Sequence, residues 1–273
     1  MEAGLQRALE RAELAVHYQP VVELASGRIT AVEALLHWQH PDMGLLQSSR
    51  FLPAAEKSGL IVPVGTWSLN AAFRRAAAWN KEGVGGIRMI VNLSPRQLQD
   101  PGVVRVVREA IAESGVLPDS IELDLPESVV ARDPAEIIAT IELLRKMGVR
   151  LCIDNFGIGT CSLALLRRLP IDGLKIDRSL IRDFPENPGN SAIVKGIISL
   201  AKAYALKVTA EGVENSNQRE ALLAAGCDFA QGYLYSTALA DPQMTRALSW
   251  GTLAPSFMAR MFPGDAPRTS GSP

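Results

Sequence analysis

The sequence predicts an α/β protein, and three observations favour a closed (βα)8 barrel. Short β-branched apolar runs alternate with longer segments of helical period, which indicates parallel strands joined by right-handed crossovers. Seven or eight such units fit into 273 residues, and α/β barrels often have about 250 residues in one domain. Polar side chains recur where the strands end. An open doubly wound sheet is the structural alternative.

The predicted strands follow one another at fairly regular intervals along the chain. The first two are separated by Ala25-Ser26-Gly27, which predicts an antiparallel hairpin before the parallel units begin. The strands are predicted at 16–24, 29–36, 87–93, 121–125, 149–153, 173–176, 207–210 and 229–234.

Helices are predicted between these strands, and several have start and stop signals. Asp133 and Pro134 predict the beginning of one helix, as an N-cap and a proline at the first helical position, and Gly148 predicts its end. The charged N-terminus has a helical pattern and is not a signal peptide. The Pro/Gly/Ser-rich segment 263–273 predicts a disordered tail. The helices between strands are predicted at 68–82, 103–114, 135–147, 162–168, 190–204 and 217–225.

Composition excludes several classes of protein. The 28 basic and 29 acidic side chains nearly cancel, which argues against a nucleic acid polymer or an anionic membrane as a partner held by bulk electrostatics. No apolar run reaches the roughly 18 residues that suggest a membrane span. Three cysteines without a CxxC motif, and no secretory signal, favour a cytoplasmic protein.

Polar residues at or just beyond the strand ends are the candidate functional residues. A single acid there is more often a helix N-cap or a solvated loop residue. Strand ends of a barrel converge on one rim, however, so we expect these residues to share a pocket. They are Glu33, Asn92, Asp124, Asp154, Asn155, Lys175, Asp177, Glu211 and Gln231.

The types of these residues indicate a metal site. Charges at buried strand positions need partners or a metal ion, and oxygen ligands without His or Cys favour Mg²⁺ or Mn²⁺. Two such ions suit in-line attack on a phosphodiester, with Lys175 stabilising the nucleophile or the developing charge. Cys161 is predicted in the same region, but no histidine is placed to activate it.

Six strings of the sequence carry a specific resemblance. From about residue 11 to 240, they resemble in order the EAL-domain family, the cyclic-di-GMP phosphodiesterases. The resemblance implies a (βα)8 TIM-like barrel with one antiparallel strand. It divides the chain into a lead-in helix at 1–10, an EAL domain at 11–245 and a C-terminal extension at 246–273. The strings are HYQPVVEL (17–24), EALLHWQHP (33–41), VNLSPRQL (91–98), LKIDRSLI (174–181), AEGVEN (210–215) and QGYLYS (231–236).

The resemblance also implies an activity, the hydrolysis of cyclic di-GMP to linear pGpG with Mg²⁺ or Mn²⁺, and a role for each matching residue. Lys175, Glu33 and Glu211 would be catalytic, and Glu127 would brace the loop after Ile153. The implied metal ligands are Glu33, Asn92, Asp124, Asp154, Asn155 and Glu211. The implied substrate contacts are Gln19, Leu36, His37, Asp177, Glu214, Gln231 and Gly232.

Three departures from the family pattern predict reduced activity. The second aspartate of the usual DDFG motif is Asn155, which keeps one oxygen but loses a ligand charge, so a second metal ion should bind more weakly. Asp124 replaces a glutamate and reaches one methylene less. His37 replaces an arginine, so a phosphate contact becomes weaker and pH-dependent.

Two further functions stay open beside the impaired hydrolase. The first is an inactive cyclic-di-GMP receptor that signals through a protein partner, and the second is a protein-interaction module. Retention of Lys175 and of the first metal's ligands favours the hydrolase, and intact motifs around Gln19 and Gln231 argue against loss of nucleotide binding. A homodimer is a further expectation from the family.

Overall fold

The computed structural model describes residues 2–130 and 134–251. The predicted N-cap Asp133 and the predicted disordered tail at 263–273 lie outside these residues. Within them, nine strands form one sheet. The strands are β1 (Leu14–Glu23), β2 (Ile29–His40), β3 (Gly44–Gln47), β4 (Arg88–Asn92), β5 (Ile121–Pro126), β6 (Arg150–Phe156), β7 (Gly173–Ile176), β8 (Lys207–Glu211) and β9 (Phe229–Gln231).

Helices connect these strands and cover the outside of the sheet. The apolar faces of the longer ones pack against the strands in one large core. The helices are α1 (Glu2–Glu10), α2 (Leu52–Ser58), α3 (Ile61–Lys81), α4 (Pro95–Leu98), α5 (Val103–Ser114), α6 (Glu127–Val130), α7 (Pro134–Arg145), α8 (Leu163–Leu166), α9 (Arg178–Arg182), α10 (Pro188–Ala203), α11 (Ser216–Ala225) and α12 (Asp241–Trp250).

Strand pairing closes the sheet into a barrel. Strand β2 pairs in parallel with β4, and each strand from β4 to β8 pairs in parallel with the next one along the chain. Strand β1 pairs antiparallel with both β2 and β9, which joins the two edges. Strand β3 adds to β2 outside the closed ring. The predicted (βα)8 barrel and its antiparallel hairpin are therefore confirmed, and the open sheet is excluded.

Some elements differ from the prediction. Helix α3 begins at Ile61 rather than at residue 68, although Pro63 and Gly65 lie in its first turns. Proline is tolerated in the first turn of a helix because the amide there needs no intrahelical partner. At Gly65 a Cβ atom would clash with the side chain of Gln97, so the glycine permits α3 to approach α4 closely.

A second hydrophobic cluster explains two of the unpredicted elements. Trp38 at the end of β2 and Phe51 are fully buried between α1, α2 and the start of α3. This cluster fixes β3 and α2, which the sequence pattern did not predict. Helix α12 was also not predicted; it contacts β1 and includes residue 245, where the EAL domain was expected to end. No helix among the described residues is long and apolar enough to cross a bilayer.

Candidate functional site

The carboxyl ends of the barrel strands surround a buried lysine. Lys175 lies in the middle of β7 and is 1% exposed. Its Nζ lies 2.6 Å from Glu211 Oε1, 2.9 Å from Asp124 Oδ2 and 3.0 Å from Glu33 Oε2. Asp154 Oδ1 lies further away, at 3.9 Å. Carboxylates from four strands, at positions up to 178 residues apart, thus converge on one cation.

Amide side chains complete the contacts of Glu33. Asn92 Nδ2 donates to Glu33 Oε1 at 2.6 Å, and Gln231 Nε2 donates to Oε2 at 2.8 Å. Gln231 Nε2 also lies 3.0 Å from Gln19 Oε1, and Gln19 Nε2 donates to the carbonyl of Ser236 at 3.0 Å. A hydrogen-bonded chain therefore links β4, β2, β9 and β1 across the mouth of the barrel.

Burial and charge shift the ionisation of these groups in opposite directions. Burial raises the pKa of Glu33, but Lys175 and the amides of Asn92 and Gln231 outweigh burial and hold that pKa below its ordinary value. Burial lowers the pKa of Lys175, but Asp124 and the other carboxylates around it raise it well above the ordinary range. Glu33 and Lys175 therefore form a charged pair at neutral pH.

The other carboxylates are less completely compensated. Burial raises the pKa of Asp124 well above its ordinary value, although Lys175 opposes the shift. The pKa of Glu211 is raised to about 7, by burial first and then by Asp154 and Glu33. Burial also raises the pKa of Asp154. One lysine does not neutralise this set, which indicates that further positive charge would be bound favourably here.

Asn155 donates hydrogen bonds to both carboxylate oxygens of Asp154. Its backbone is left-handed, with φ 55°, a conformation that asparagine adopts more readily than most residues. In this conformation its backbone amide donates to Asp154 Oδ1 and its side-chain amide donates to Oδ2, each at 2.8 Å. Asp154 is consequently hydrogen-bonded by its own neighbour rather than directed only toward Lys175.

Glu127 organises the loop that follows Asn155. One oxygen of its carboxylate accepts from the backbone amides of Gly157 at 3.1 Å and Gly159 at 3.0 Å, and the other accepts from Cys161 at 2.9 Å. A Cβ atom at Gly159 would lie 2.6 Å from the Glu127 carboxylate carbon. Glycine there permits the close approach that lets one side chain bind three amides.

Two cavities open beside the carboxylates. The first has a volume of about 220 Å³ and contains Glu33 and Glu211 in its wall. The second, of about 300 Å³, contains Asn92 and Leu36. Leu35 borders both. Of the other expected substrate contacts, the first cavity contains Gln19, Glu214, Gln231 and Gly232.

Two of the expected substrate-binding side chains, His37 and Asp177, make contacts with other residues of the protein. His37 is 5% exposed, stacks on His17 with 4.2 Å between ring centroids, and lies 2.9 Å from the carbonyl of Leu35 through Nδ1. Asp177 caps α9 by accepting from the amide of Ser179 at 2.7 Å. Neither residue belongs to the walls of the two cavities described above.

Sequence reasoning missed several residues of the cavity walls, and three of them lie close to predicted site residues in the chain. Arg178 and Tyr233 line the first cavity, and Leu35 lines both. Each had a signal in the sequence. Leu35 lies two residues after Glu33 on a strand, and residues two apart share a face. Arg178 and Tyr233 lie inside strings already singled out, directly after Asp177 and Gly232.

The chemistry of the donors fits a divalent cation. The candidate ligands on the rim are carboxylate or amide oxygens, which hard cations prefer. Asp124 Oδ1 is buried and has no hydrogen-bond partner among the described residues. Buried polar atoms are normally satisfied, so this oxygen has an unused capacity to bind a cation. The residues that would hold one are Glu33, Asn92, Asp124, Asp154 and Glu211.

Comparison with known proteins identifies relatives over most of the chain. Residues 2–238 match the family model described as the EAL domain. The chain is 40% identical over 245 residues to the bifunctional diguanylate cyclase/cyclic di-GMP phosphodiesterase MucR of Pseudomonas aeruginosa, covering 90% of this chain and 36% of that protein. It is 40% identical over 239 residues to the cyclic di-GMP phosphodiesterase NbdA of the same organism, covering 88% of this chain and 30% of NbdA.

A solved structure gives the same similarity in three dimensions. The complex of the PaMucR phosphodiesterase with c-di-GMP superposes with a TM-score of 0.87 at 40% identity, over 89% of this chain and 98% of that one. The chain spans only about a third of the length of the curated relatives it matches.

Proposed function

Because the chain belongs to the EAL-domain family, we propose that it hydrolyses cyclic di-GMP to linear pGpG with Mg²⁺ or Mn²⁺, at a reduced rate. One observation carries the proposal, namely the convergence of Glu33, Asp124, Asp154 and Glu211 on Lys175 at the carboxyl ends of the strands. Active sites of barrel enzymes lie at this end.

The cation would be held by the oxygen ligands already described on the rim. When bound, it supplies Lewis-acid polarisation of the phosphodiester and stabilises developing negative charge. Lys175 provides a fixed positive charge, because the carboxylates that surround it keep it protonated. Glu33 and Glu211 complete the catalytic set, and Gln231 fixes the orientation of Glu33 through its 2.8 Å hydrogen bond.

The two cavities suit a ligand with two bulky bases. Cyclic di-GMP carries two guanines on a ring that contains two phosphodiesters. We place one base in the cavity bordered by Gln19, Glu214 and Gly232, and the other in the cavity bordered by Leu36. Leu35 lies between the cavities, close to Glu33, so one phosphodiester would lie against the carboxylates.

The reduced rate follows from Asn155, Asp124 and His37. The side-chain amide of Asn155 is uncharged, and it donates a hydrogen bond to Asp154 Oδ2, which could otherwise bind a cation. Asp124 is shorter than the glutamate usual in the family, but it still contacts Lys175 at 2.9 Å. We therefore expect this departure to reduce the rate less than Asn155 does. His37 is buried and bonded to its own strand, and is therefore a poorer phosphate ligand than arginine.

The alternative function is a receptor that binds cyclic di-GMP without cutting it and signals through a protein partner. Asn155 favours this alternative because it weakens cation binding. The experiment is incubation of the protein with cyclic di-GMP and Mn²⁺, with pGpG measured by chromatography and affinity measured in Ca²⁺. Product formation supports the hydrolase. Binding without product formation in Mg²⁺ or Mn²⁺ would refute the hydrolase and support the receptor. Absence of binding would refute both and support a protein-interaction module.

The setting of the protein is also part of the proposal. Cys152, Cys161 and Cys227 are all unpaired, which suits the reducing cytoplasm. A homodimer is expected from the family. Size-exclusion chromatography with light scattering, with and without cyclic di-GMP, tests that expectation.

A further inference from the structure

Polar side chains lie in the otherwise apolar wall of the second cavity. This cavity has a volume of about 300 Å³ and is bordered by β2, β4 and the helices α2, α3 and α4. Aliphatic side chains such as Leu52 and Ile61 give it apolar surfaces, which suit the faces of a nucleobase. The polar side chains in its wall are Ser48, Glu56, Ser68, Asn92, Ser94 and Gln97.

Three of these polar side chains are already hydrogen-bonded within the protein. Asn92 Nδ2 donates to Glu33 Oε1 at 2.6 Å. At the start of α4, the backbone amide of Gln97 donates to Ser94 Oγ, and the backbone amide of Ser94 donates to Gln97 Oε1, each at 3.2 Å. These contacts hold the wall of the cavity in place.

The other three side chains, Ser48, Glu56 and Ser68, are available to a ligand. None of them makes a side-chain hydrogen bond or an ion pair within the part of the chain that the structure describes. Glu56 lies exposed in the last turn of α2, and its backbone carbonyl, not its carboxylate, accepts from Arg96. Ser68 is 8% exposed, and a buried hydroxyl normally has a partner. The cavity thus offers one carboxylate and two hydroxyls for recognition.

We propose that Glu56 selects guanine over adenine in the second cavity, an inference that rests on the proposed function. The Watson–Crick edge of guanine carries two neighbouring donors, N1–H and the N2 amino group, and one carboxylate accepts from both. Adenine carries an acceptor at N1, so the Glu56 carboxylate repels it. The hydroxyls of Ser48 and Ser68 are donors that match O6 and N7, the acceptors of guanine.

The sign of a charge-removing substitution separates recognition from mere proximity. Cyclic di-GMP is an anion, so a nearby glutamate that does not contact it repels it, and neutralising that glutamate strengthens binding. A glutamate that accepts from guanine has the opposite effect. Glu56→Gln replaces one acceptor oxygen by an amino group, which would face a guanine donor. Loss of a hydrogen bond to a charged group predicts binding that is weaker by about tenfold or more.

Calorimetric titration in Ca²⁺ compares cyclic di-GMP with the mixed cyclic dinucleotide that carries one guanine and one adenine. We expect the unmodified protein to prefer cyclic di-GMP by about tenfold or more. Glu56→Gln should bind cyclic di-GMP about tenfold more weakly and the mixed dinucleotide no more weakly, because a glutamine amide pairs with adenine. Unchanged or tighter binding of cyclic di-GMP by Glu56→Gln would overturn the proposal.

Glu10→Gln is the matched control, because Glu10 is an exposed glutamate on α1 outside both cavities. It removes the same charge and should change both affinities by less than about twofold. An equal loss of affinity in Glu10→Gln and Glu56→Gln would overturn the assignment to Glu56.

Ser68 provides a second test on another helix. Ser68→Ala should weaken cyclic di-GMP binding by about fivefold, with the fold intact by circular dichroism. An unchanged affinity would overturn the role of this hydroxyl.

The same titrations distinguish base selection from hydrolysis. Binding of cyclic di-GMP that depends on Glu56, without formation of pGpG, would refute the hydrolase and support base selection. Formation of pGpG, with an affinity that Glu56→Gln leaves unchanged, would support the hydrolase and overturn base selection. Absence of binding of both dinucleotides to the unmodified protein would refute both.

Discussion

Replacing Asn155 by aspartate tests how far one side chain limits this site. The substitution exchanges a neutral amide for a carboxylate and leaves the backbone unstrained, because aspartate also tolerates the left-handed conformation at φ 55°. It removes the 2.8 Å hydrogen bond that the Asn155 amide donates to Asp154 Oδ2. Asp154 Oδ2 is then free to bind a cation, while Oδ1 still accepts from the backbone amide of residue 155. A second negative ligand is added next to it.

Two terms set the expected loss of stability in the absence of divalent cations. Loss of the hydrogen bond costs about 1 kcal/mol. Two carboxylates about 4 Å apart repel by about 1 kcal/mol in water and about 4 kcal/mol at an effective dielectric constant of 20. Residue 155 is exposed, so the lower figure applies. Without divalent cations, Asn155→Asp should therefore reduce the free energy of unfolding by about 2 kcal/mol.

A divalent cation should reverse this loss and raise activity. At a concentration 100-fold above its Kd, Mn²⁺ stabilises the folded state by about 2.7 kcal/mol. Because Asn155→Asp should lower the Kd for Mn²⁺, the variant should gain more stability than the unmodified protein at the same Mn²⁺ concentration. We expect kcat/KM for cyclic di-GMP to rise about 10- to 100-fold, equivalent to about 1.4–2.7 kcal/mol. The assays are urea denaturation with EDTA or Mn²⁺, calorimetric titration of Mn²⁺, and pGpG formation.

A glycine variant is the matched control. Asn155→Gly removes the amide without adding charge, and glycine adopts the left-handed backbone freely. The reasoning is refuted if Asn155→Asp binds Mn²⁺ no more tightly than the unmodified protein. It is also refuted if Asn155→Gly gains as much Mn²⁺ affinity and activity as Asn155→Asp.

Three further substitutions test other parts of the site. Lys175→Met should abolish pGpG formation and, in EDTA, destabilise the fold by about 3–5 kcal/mol because it leaves buried carboxylates unpaired; urea denaturation that shows no loss would contradict the central role of this lysine. Glu127→Ala should release the amides of the loop at 157–161 and speed their hydrogen exchange at least tenfold, while slow exchange there would show that the loop is held by other contacts. Gly232→Ala should lose cyclic di-GMP binding, because a Cβ atom at φ 156° would clash with the backbone of Val213; unchanged calorimetric affinity would indicate that this segment shifts without cost.

Much of the fold was predictable because it depends on local patterns. Alternating runs of strand and helix period indicate parallel units, and the short segment after Leu24 indicates the hairpin. The elements that were missed lack such patterns. Strand β3 has four residues, and α2 contains seven. Both are held by packing around Trp38 and Phe51 rather than by their own periodicity.

The cavity walls were predictable only in part. Polar residues at strand ends stand out in a sequence, because charges rarely occur in buried strands. Leu35 and Tyr233 do not stand out by residue type, and only their positions close to Glu33 and Gly232 in the chain point to them. His37 resembles a substrate contact by its position, yet it is stacked on His17 and buried.

The sequence by itself determined the family, the barrel and the set of polar residues on its rim, because motifs and periodicity are local properties of the chain. Only the tertiary structure decided how these residues are connected. Closure through β1 brings Glu33, Asp124 and Glu211 within 3.0 Å of one lysine. It also leaves Asp124 Oδ1 buried without a hydrogen-bond partner in the part of the chain that the structure describes. Distances between residues far apart in the chain depend on packing, and no local pattern encodes them.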